Sequence, residues 1–198
     1  MRVLLVHGWG FAPSLWDALR ARPGHTWLTV DLGYFGPPRW DLPPALDLVA
    51  GHSFGCLWAM LHPGLAQVPL VSVAGFPRLR AGPDFPHGIP ARVLERMLAR
   101  LRQSPPEALQ ALHDRLGTAV PRGEPRLERL QADLLGMRDR DARGGRQPVL
   151  ALAAEDDPLV PAALSRHAFP RLVRLPSGGH ALPLTRPGAV ARALEAAL

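Results

Sequence analysis

Residues 46–61 read LDLVAGHSFGCLWAML, and this stretch decides the fold. Leu46 to Ala50 is a short apolar run typical of a buried strand, and Phe54 to Leu61 has the composition of a helix. The turn between them carries Gly-x-Ser-x-Gly, with Ser53 at its centre. A serine on such a turn is held in a strained backbone conformation, and side chains in place of the glycines would collide with the neighbouring strand and helix. The pattern therefore predicts a nucleophilic serine at residue 53.

The alternation of strand and helix continues on both sides of this turn. Short apolar runs predict strands at residues 2–6, Thr26 to Asp31, Leu46 to Ala50, Pro69 to Ala74, Pro148 to Ala153 and Arg171 to Leu175. Amphipathic pieces predict helices at Ser14 to Ala21, Phe54 to Leu61, Ala162 to Phe169 and Pro187 to Leu198. Strands that are apolar throughout are typical of a parallel sheet buried on both faces. We therefore expect an α/β fold, with a mostly parallel sheet of about six strands and helices on both faces.

Length and composition exclude several classes of protein. The 198 residues suit one domain, which we expect to span residues 1–198. The chain is 47% hydrophobic and has no run of about 18 apolar residues, which excludes a disordered chain and a membrane-spanning helix. The single cysteine, Cys56, cannot form an internal disulfide. Because the chain also begins with a strand pattern rather than a leader peptide, we expect a cytoplasmic protein.

Residues 79–147 interrupt the alternation, because they contain three helical patterns in a row and no strand pattern. The first pattern, Ala91 to Arg102, is amphipathic. The second begins at Ser104-Pro105-Pro106-Glu107, which has the order of a capping box with a proline at the first helical position. The third runs from about Pro125 to Met137. We therefore expect a helical insertion at about residues 79–147.

The positive charge of the chain is concentrated in this insertion. All 23 basic residues are Arg, and the segment from Arg78 to Arg146 holds 14 of them against 9 Asp or Glu. Arg92, Arg96 and Arg100 lie one helical row apart on the first helix, where they form either a docking surface for an acidic partner or a solvated face. Nucleic acid is not expected as a partner, because the basic residues alternate with acidic ones and lack interleaved aromatic residues.

A nucleophilic serine needs an imidazole base and a carboxylate that orients it. Among eight histidines, His180 is the candidate base because its loop, Ser177 to Ala181, directly follows the last predicted strand. Glu155-Asp156-Asp157 follows the strand before it, and any of the three could reach; Asp157 is our choice, with Asp156 as the main alternative. Five other histidines lack such a context and are expected at the surface: His25, His62, His87, His113 and His167.

Acyl transfer also needs hydrogen-bond donors for the oxyanion. The loop His7-Gly8-Trp9-Gly10 follows the first predicted strand, and the backbone N–H groups of Trp9 and Phe54 could converge on the tetrahedral oxygen. We expect His7 to brace this loop rather than to act as a base. No metal and no cofactor is expected, because the sequence has no His-x-x-x-His or cysteine pair at ligand spacing and the triad needs none.

Taken together, these motifs resemble those of the α/β-hydrolase superfamily over nearly the whole chain, including the order Ser, Asp, His. Four motifs are most similar to carboxylesterases of biotin synthesis that cleave pimeloyl-acyl-carrier-protein methyl ester: His7-Gly8-Trp9-Gly10, Gly51-His52-Ser53-Phe54-Gly55, Asp157-Pro158-Leu159-Val160-Pro161 and Gly179-His180-Ala181. The resemblance implies a triad of Ser53, Asp157 and His180, with Trp9 and Phe54 as oxyanion donors. It also implies that residues 79–147 form a helical cap whose arginines hold the acidic carrier protein.

The resemblance further implies an α/β-hydrolase fold with a trimmed sheet. The chain begins at the strand that normally comes third, and the segment from Asp31 to Leu46 is too short and proline-rich for a full crossover helix. The predicted function is a serine carboxylesterase that forms an acyl-enzyme. A small-molecule esterase or thioesterase, and a binding protein that keeps the fold without catalysis, remain alternatives. A haloalkane-dehalogenase reaction needs a carboxylate nucleophile where this chain has Ser53.

Overall fold

The centre of the protein is one sheet of six strands, seen in a computed structural model that describes residues 1–197. The strands are β1 (Arg2–Val6), β2 (Thr26–Val30), β3 (Leu48–His52), β4 (Leu70–Val73), β5 (Leu150–Ala154) and β6 (Leu172–Leu175). Their spatial order is β2-β1-β3-β4-β5-β6, and every neighbouring pair is parallel. The α/β class, the six strands and the parallel sheet are confirmed.

Helices cover both faces of the sheet. On one face lie α2 (Phe54–Leu61) and α6 (Ala162–Ala168), and on the other lie α1 (Asp17–Arg20), α7 (Leu182–Thr185) and α8 (Pro187–Glu195). Successive residues of β1 divide between the two cores: Leu4 packs in the α2 core and Leu5 in the α8 core. This arrangement explains why the strands are apolar along their whole length. None of the helices within residues 1–197 is long and apolar enough to cross a bilayer.

The strand order changes direction at β1, which pairs with β2 on one side and with β3 on the other. In a parallel sheet such a switch opens a crevice at the carboxyl ends of the two strands, where ligands bind. The loop His7–Gly10 follows β1, and Ser53 follows β3. The fold therefore brings two of the predicted functional segments to the same crevice. No helix lies between β2 and β3, as the short segment predicted.

Between β4 and β5 the chain forms three helices, α3 (Ala91–Gln103), α4 (Pro105–Leu116) and α5 (Leu127–Asp139). We call residues 79–147, which contain them, the cap. Leucines from all three helices share the core of the α2 face, including Leu94, Leu109 and Leu130. The predicted capping box is wrong in one respect: α4 begins with Pro105 at its first position, but the Ser104 side chain makes no capping hydrogen bond.

A buried polar network attaches the cap to the loop that follows β2. The Tyr34 hydroxyl donates to Asp133 Oδ2 of α5 at 2.9 Å, and Arg129 Nη2 lies 2.9 Å from the same carboxylate oxygen. Arg129 Nε also donates to Leu32 O at 3.0 Å. Both partners of the fully buried Tyr34–Asp133 pair are satisfied, as a low-dielectric interior requires. The cap is therefore held at its α5 side by directed hydrogen bonds as well as by apolar packing.

Candidate active site

Ser53 occupies a tight turn between β3 and α2. Its backbone has φ 52° and ψ −122°, a left-handed conformation that is uncommon for a residue with a side chain. The Ser53 N–H donates to Val73 O of β4 at 3.0 Å, and Ser53 O accepts from Cys56 N–H at 3.0 Å. These bonds hold the strained turn in place, and the residue as a whole remains 8% exposed. The conformation is the one that the Gly-x-Ser-x-Gly pattern predicts for a nucleophile.

Both glycines of the turn are required by close backbone contacts. A Cβ added at Gly51 would lie 2.5 Å from Cys56 Cα of α2. A Cβ added at Gly55 would lie 2.4 Å from Val6 O and 2.6 Å from His7 O. Because these neighbours are backbone atoms, they cannot rotate aside as a long side chain can. The glycines therefore let α2 approach β3 and β1 closely enough to present Ser53 at the crevice.

Replacing Gly55 with Ala is expected to lower the free energy of unfolding by about 1–3 kcal/mol, the usual cost of overpacking. The corresponding fall in Tm is about 2–12 °C for a chain of this size, measured by circular dichroism on heating. Gly144→Ala is the matched control, because a Cβ there meets nothing within 4 Å. A Gly55→Ala protein as stable as the Gly144→Ala protein would contradict the close approach of α2 to β1.

His180 and Asp157 meet beside this turn. His180 Nδ1 lies 2.8 Å from Asp157 Oδ2, and both side chains are almost fully buried, at 2% and 1% exposure. The other carboxylate oxygen, Asp157 Oδ1, accepts the N–H groups of Leu159 at 2.8 Å and Val160 at 2.9 Å. Because an ionised carboxylate only accepts, the proton of this contact lies on Nδ1. That tautomer leaves Nε2 with a free lone pair, as a general base requires.

Asp156, the alternative acid, has a different set of partners. Its carboxylate accepts the N–H of Gly179 at 2.8 Å and of Gly178 at 3.2 Å. The Gly179 N–H bond is the main reason why the pKa of Asp156 lies below its ordinary value. Asp156 therefore holds the loop that carries His180, while Asp157 contacts the imidazole itself. Glu155 pairs with Arg166 and Arg174 at the surface.

Ser53 and His180 line the same cavity. Within residues 1–197 the Ser53 hydroxyl makes no hydrogen bond, and no partner lies within 3.5 Å of His180 Nε2 in hydrogen-bonding geometry. Catalytic hydrogen bonds are often long in the absence of substrate and tighten when it binds. The structure thus brings the predicted nucleophile and base to one cavity, without a hydrogen bond between Ser53 Oγ and His180 Nε2.

The two predicted oxyanion donors are Phe54, which follows Ser53 in the chain, and Trp9, which lines the same cavity as Ser53. Phe54 is the first residue of α2, so its N–H has no partner within the helix. The Trp9 N–H likewise donates to no acceptor among residues 1–197. His7–Gly10, which we call the oxyanion loop, forms most of a turn closed by Phe11 N–H donating to Gly8 O at 3.2 Å. Two backbone donors near the serine are therefore unoccupied.

His7 braces the base of the oxyanion loop. Its Nε2 accepts the Leu32 N–H at 3.0 Å, so the ring proton lies on Nδ1, which donates to Gly8 O at 2.9 Å. The side chain is fully buried and lies outside the cavity wall. The bond with Leu32 joins the end of β1 to the segment after β2, and the bond with Gly8 stays within the loop. Neither nitrogen is available for proton transfer.

The cavity has a volume of about 380 Å³ and lies between the cap and the sheet. Its walls are largely apolar, with Leu94, Met97, Leu112 and Met137 contributed by the cap. This volume and composition are in the range of sites for small organic ligands. Ser53 and His180 form part of its wall, so a ligand bound in the cavity can contact both side chains.

Comparison with known proteins identifies the family of the chain. Residues 3–193 match the alpha/beta hydrolase family. The chain belongs to this family. The chain is also similar in fold to solved structures of nearly its own length. An esterase from Exiguobacterium antarcticum superposes with a TM-score of 0.83 at 17% identity, covering 99% of this chain and 91% of that one. A hydrolase from Pseudomonas aeruginosa superposes with a TM-score of 0.72 at 20% identity, covering 99% and 89%.

Among curated relatives, a pimeloyl-[acyl-carrier protein] methyl ester esterase of Neisseria meningitidis serogroup C is 34% identical to this chain over 121 residues. The match covers 51% of this chain and 47% of the relative. The homologous protein of serogroup A is also 34% identical, and the match covers 38% of it. The chain therefore spans less than half the length of the curated relatives it matches.

The basic stripe of the cap, Arg92, Arg96 and Arg100, lies partly at the cavity and partly in solvent. Arg92, Arg96 and Arg100 are all exposed, and within residues 1–197 none has a carboxylate oxygen within 4.0 Å. Arg96 and Arg100 line the cavity, together with Arg115 of α4, whereas Arg92 does not. None of the Asp and Glu residues between positions 1 and 197 lines the cavity. Two of the three predicted docking residues thus lie where an anionic part of a ligand would meet them.

Two further histidines beside the site were not predicted to be part of it. His52 is fully buried, and its Nε2 donates to His180 O at 3.0 Å, while its Nδ1 has no partner in the described part of the chain. Burial holds the pKa of His52 well below its ordinary value, so the ring stays neutral. The expectation of a surface position is wrong for His113, which is fully buried between α4 and the oxyanion loop. A helix position gives no sign of a contact that only the packing of the cap creates.

Proposed function

We propose that this hydrolase is a serine carboxylesterase that hydrolyses an acyl ester through an acyl-enzyme. The observation that carries the proposal is the 2.8 Å contact of His180 Nδ1 with Asp157, in the wall of the cavity that Ser53 also lines. This contact fixes the imidazole tautomer that can accept a proton. The proposed site comprises Ser53, Asp157 and His180, with the N–H groups of Trp9 and Phe54 as oxyanion donors.

In the proposed reaction the Ser53 hydroxyl attacks the ester carbonyl while His180 Nε2 takes its proton. In this proposal the two backbone N–H groups, which donate to no other acceptor within residues 1–197, stabilise the negative charge that develops on the carbonyl oxygen. The imidazolium, stabilised by Asp157, then gives the proton to the departing alcohol. Water enters, loses a proton to His180, and releases the acid from Ser53 by the same steps.

We also propose a substrate whose acyl chain is attached to an acidic carrier protein, such as pimeloyl-[acyl-carrier protein] methyl ester. The similarity to the Neisseria esterases over 121 residues supports this substrate. The apolar cavity suits an acyl chain, and the unpaired Arg96 and Arg100 beside it suit the anionic groups of a carrier. Within this proposal residues 1–198 act as one domain, residues 79–147 cover the acyl chain, and the reaction takes place in the cytoplasm.

The proposed chemistry is tested by two measurements on the purified protein. Hydrolysis of p-nitrophenyl esters of rising chain length should reveal esterase activity, and a fluorophosphonate should label one residue, located at Ser53 by peptide mass spectrometry. Labelling at Ser53 without activity on carrier-linked methyl esters would support the small-molecule esterase instead. A protein that neither hydrolyses esters nor is labelled would contradict the proposal and favour a non-catalytic binding protein.

Docking of a carrier through the arginines predicts sensitivity to salt and to charge removal. Raising NaCl from about 0.05 to 0.5 M should lower kcat/KM for carrier-linked substrate, because screening weakens attraction between exposed charges. The double variant Arg96→Gln with Arg100→Gln should lower it roughly tenfold at low salt, mainly through association. Hydrolysis of p-nitrophenyl esters should change little in either case.

The matched control removes the same charge elsewhere. Arg22 and Arg192 are exposed and do not line the cavity, so Arg22→Gln with Arg192→Gln should preserve kcat/KM for the carrier-linked substrate. Equal losses in the two double variants would show that net charge rather than the cap surface matters. Turnover of carrier-linked substrate that is indifferent to salt would contradict docking through the stripe.

A further inference from the structure

The cap contacts the oxyanion loop through a buried histidine. His113 lies near the end of α4 and is fully buried. Its Nε2 lies 2.9 Å from Gly10 O, and its Nδ1 lies 2.8 Å from Thr118 Oγ1. Its ring packs edge-on against Phe11, with 4.9 Å between the ring centroids. The contacts with Gly10 and Phe11 connect α4 with the turn that contains Trp9, whereas the contact with Thr118 stays within the end of α4 and the segment after it.

The partners of His113 determine where its ring proton lies. Gly10 O is a carbonyl oxygen and can only accept, so Nε2 carries the proton and donates it. Nδ1 then accepts from the Thr118 hydroxyl, which can donate. Burial lowers the pKa of His113 below its ordinary value, so the ring is neutral in this arrangement. Both ring nitrogens are satisfied, and neither faces the cavity.

The Gly10 carbonyl belongs to the peptide unit that closes the oxyanion turn. At the other end of that unit, Phe11 N–H donates to Gly8 O at 3.2 Å. The peptide unit is therefore held at both ends, by His113 and by Gly8. Trp9 lies inside this four-residue turn, so fixing the turn also fixes the direction of the Trp9 N–H.

The cap holds the same loop at a second point. The Trp9 indole Nε1 donates to Leu130 O of α5 at 2.8 Å. Gly10 has φ +73°, and a Cβ there would lie 3.2 Å from Leu112 Cδ2 and 3.3 Å from Leu109 Cδ2. The turn is thus enclosed by α4 and α5 rather than open to solvent, and the bond to His113 is its one side-chain hydrogen bond from α4 within residues 1–197.

We propose that His113 is a positioning residue, which holds the Gly10 carbonyl and thereby aims the Trp9 N–H at the oxyanion. This inference rests on the proposed esterase function and extends it, because it makes a cap residue part of the apparatus that stabilises the transition state. An oxyanion donor acts mainly on charge that develops in the transition state. Loss of its alignment should therefore lower kcat rather than raise KM.

The test replaces His113 by residues that keep or lose the donor. His113→Phe keeps an aromatic ring against Phe11 but cannot donate to Gly10, and kcat for p-nitrophenyl esters should fall about 10- to 100-fold with KM within about threefold. A trifluoromethyl ketone, which forms a tetrahedral adduct with serine, should bind more weakly by the same factor as kcat/KM. His113→Gln, whose amide nitrogen can occupy the place of Nε2, should restore kcat to within about fivefold of the wild type.

Two further variants separate positioning from general stability. Ala111→Gly weakens the exposed side of α4 by about 1 kcal/mol without touching Gly10, and it should leave kcat unchanged. His113→Asn is shorter and keeps a polar side chain near Thr118 without reaching Gly10, so it should lose as much kcat as His113→Phe. His113→Asn replaces His113→Phe in the test if the phenylalanine variant does not fold. Unchanged kcat in His113→Phe or His113→Asn, or failure of His113→Gln to restore it, would overturn the proposal.

Hydrogen exchange separates failure of the positioning role from failure of the esterase function. In His113→Phe or His113→Asn the peptide that contains residues 7–11 should exchange faster than in the wild type and in Ala111→Gly, whether or not the protein hydrolyses esters. Unchanged exchange in that peptide would overturn the positioning role of His113. A wild-type protein that a fluorophosphonate does not label would overturn the esterase function. The exchange result would still test whether the hydrogen bond between His113 and Gly10 holds the loop.

Discussion

Replacing Ser53 with Ala is expected to lower kcat for ester hydrolysis by about 10⁴-fold or more, because no other hydroxyl can form the acyl-enzyme at this turn. The remaining oxyanion donors would still give weak catalysis over water. The protein should fold normally. Ser53 Oγ has no hydrogen-bond partner within residues 1–197, so its removal leaves no buried group unsatisfied. The measurement is steady-state hydrolysis of p-nitrophenyl esters, with fluorophosphonate labelling as the second readout.

Ser53→Gly adds a readout that depends on the backbone alone. The conformation at φ 52° and ψ −122° is strained for serine and alanine but accessible to glycine. The glycine variant should therefore be inactive like the alanine variant and yet unfold at a higher temperature than it, by about 2–4 °C for each kcal/mol of strain relieved. Residual activity close to that of the wild type in either variant would remove Ser53 from the mechanism. Equal Tm values would indicate that the turn stores no strain.

The strand-and-turn part of the fold is predictable because it depends on local composition. Apolar runs located all six strands, and Phe54 to Leu61 was predicted as α2 at its observed bounds. The boundary of β3 was less accurate, since the pattern ended the strand at Ala50 whereas it continues to His52. Glycine normally weakens a strand and suggests its end, but Gly51 lies within β3. A glycine is required there because α2 approaches the strand too closely for any side chain.

The helix before β2 shows where local pattern is insufficient. Ser14 to Ala21 was predicted as one helix, and the structure has a 3₁₀ turn, Pro13–Trp16, followed by the single turn α1. An apolar pattern this short cannot distinguish the two, because Trp16 and Leu19 are buried in either case. Contacts between segments that are distant in the chain are still harder to predict from the sequence. The bond of His113 to Gly10 joins residues 103 positions apart and exists only because the cap folds back over the crevice.

The acidic residue of the site is only partly predictable from the sequence. The sequence places Glu155, Asp156 and Asp157 together after β5, and the last two contact the loop of His180. Which carboxylate reaches the imidazole depends on the direction of the chain through this turn. Asp157 points inward because its Oδ1 accepts the N–H groups of Leu159 and Val160, and its Oδ2 then faces His180. Neighbouring residues of similar chemistry thus acquire different roles from backbone geometry.

Asp157→Asn is expected to lower kcat by about 10⁴-fold through a change of imidazole tautomer. The hydrogen bonds around residue 157 determine which tautomer forms. Two backbone N–H groups point at the Oδ1 position, so the new amide must place its oxygen there and its NH₂ group toward His180. An NH₂ group can only donate, which requires Nδ1 to carry the lone pair. The ring proton then moves to Nε2, the atom that must accept the proton of Ser53. The base is therefore blocked without any loss of shape.

Asp156→Asn provides the matched comparison, because it is the same chemical change one residue earlier. Its carboxylate accepts two backbone N–H groups and does not contact the imidazole, so one amide oxygen can keep part of this function. We expect at most about a tenfold loss of kcat and no change of tautomer, since no group facing Nδ1 is altered. The ¹⁵N chemical shifts of His180 report the tautomer directly. Comparable losses in the two variants, or an Nδ1–H ring in Asp157→Asn, would mean that Asp157 does not orient the base.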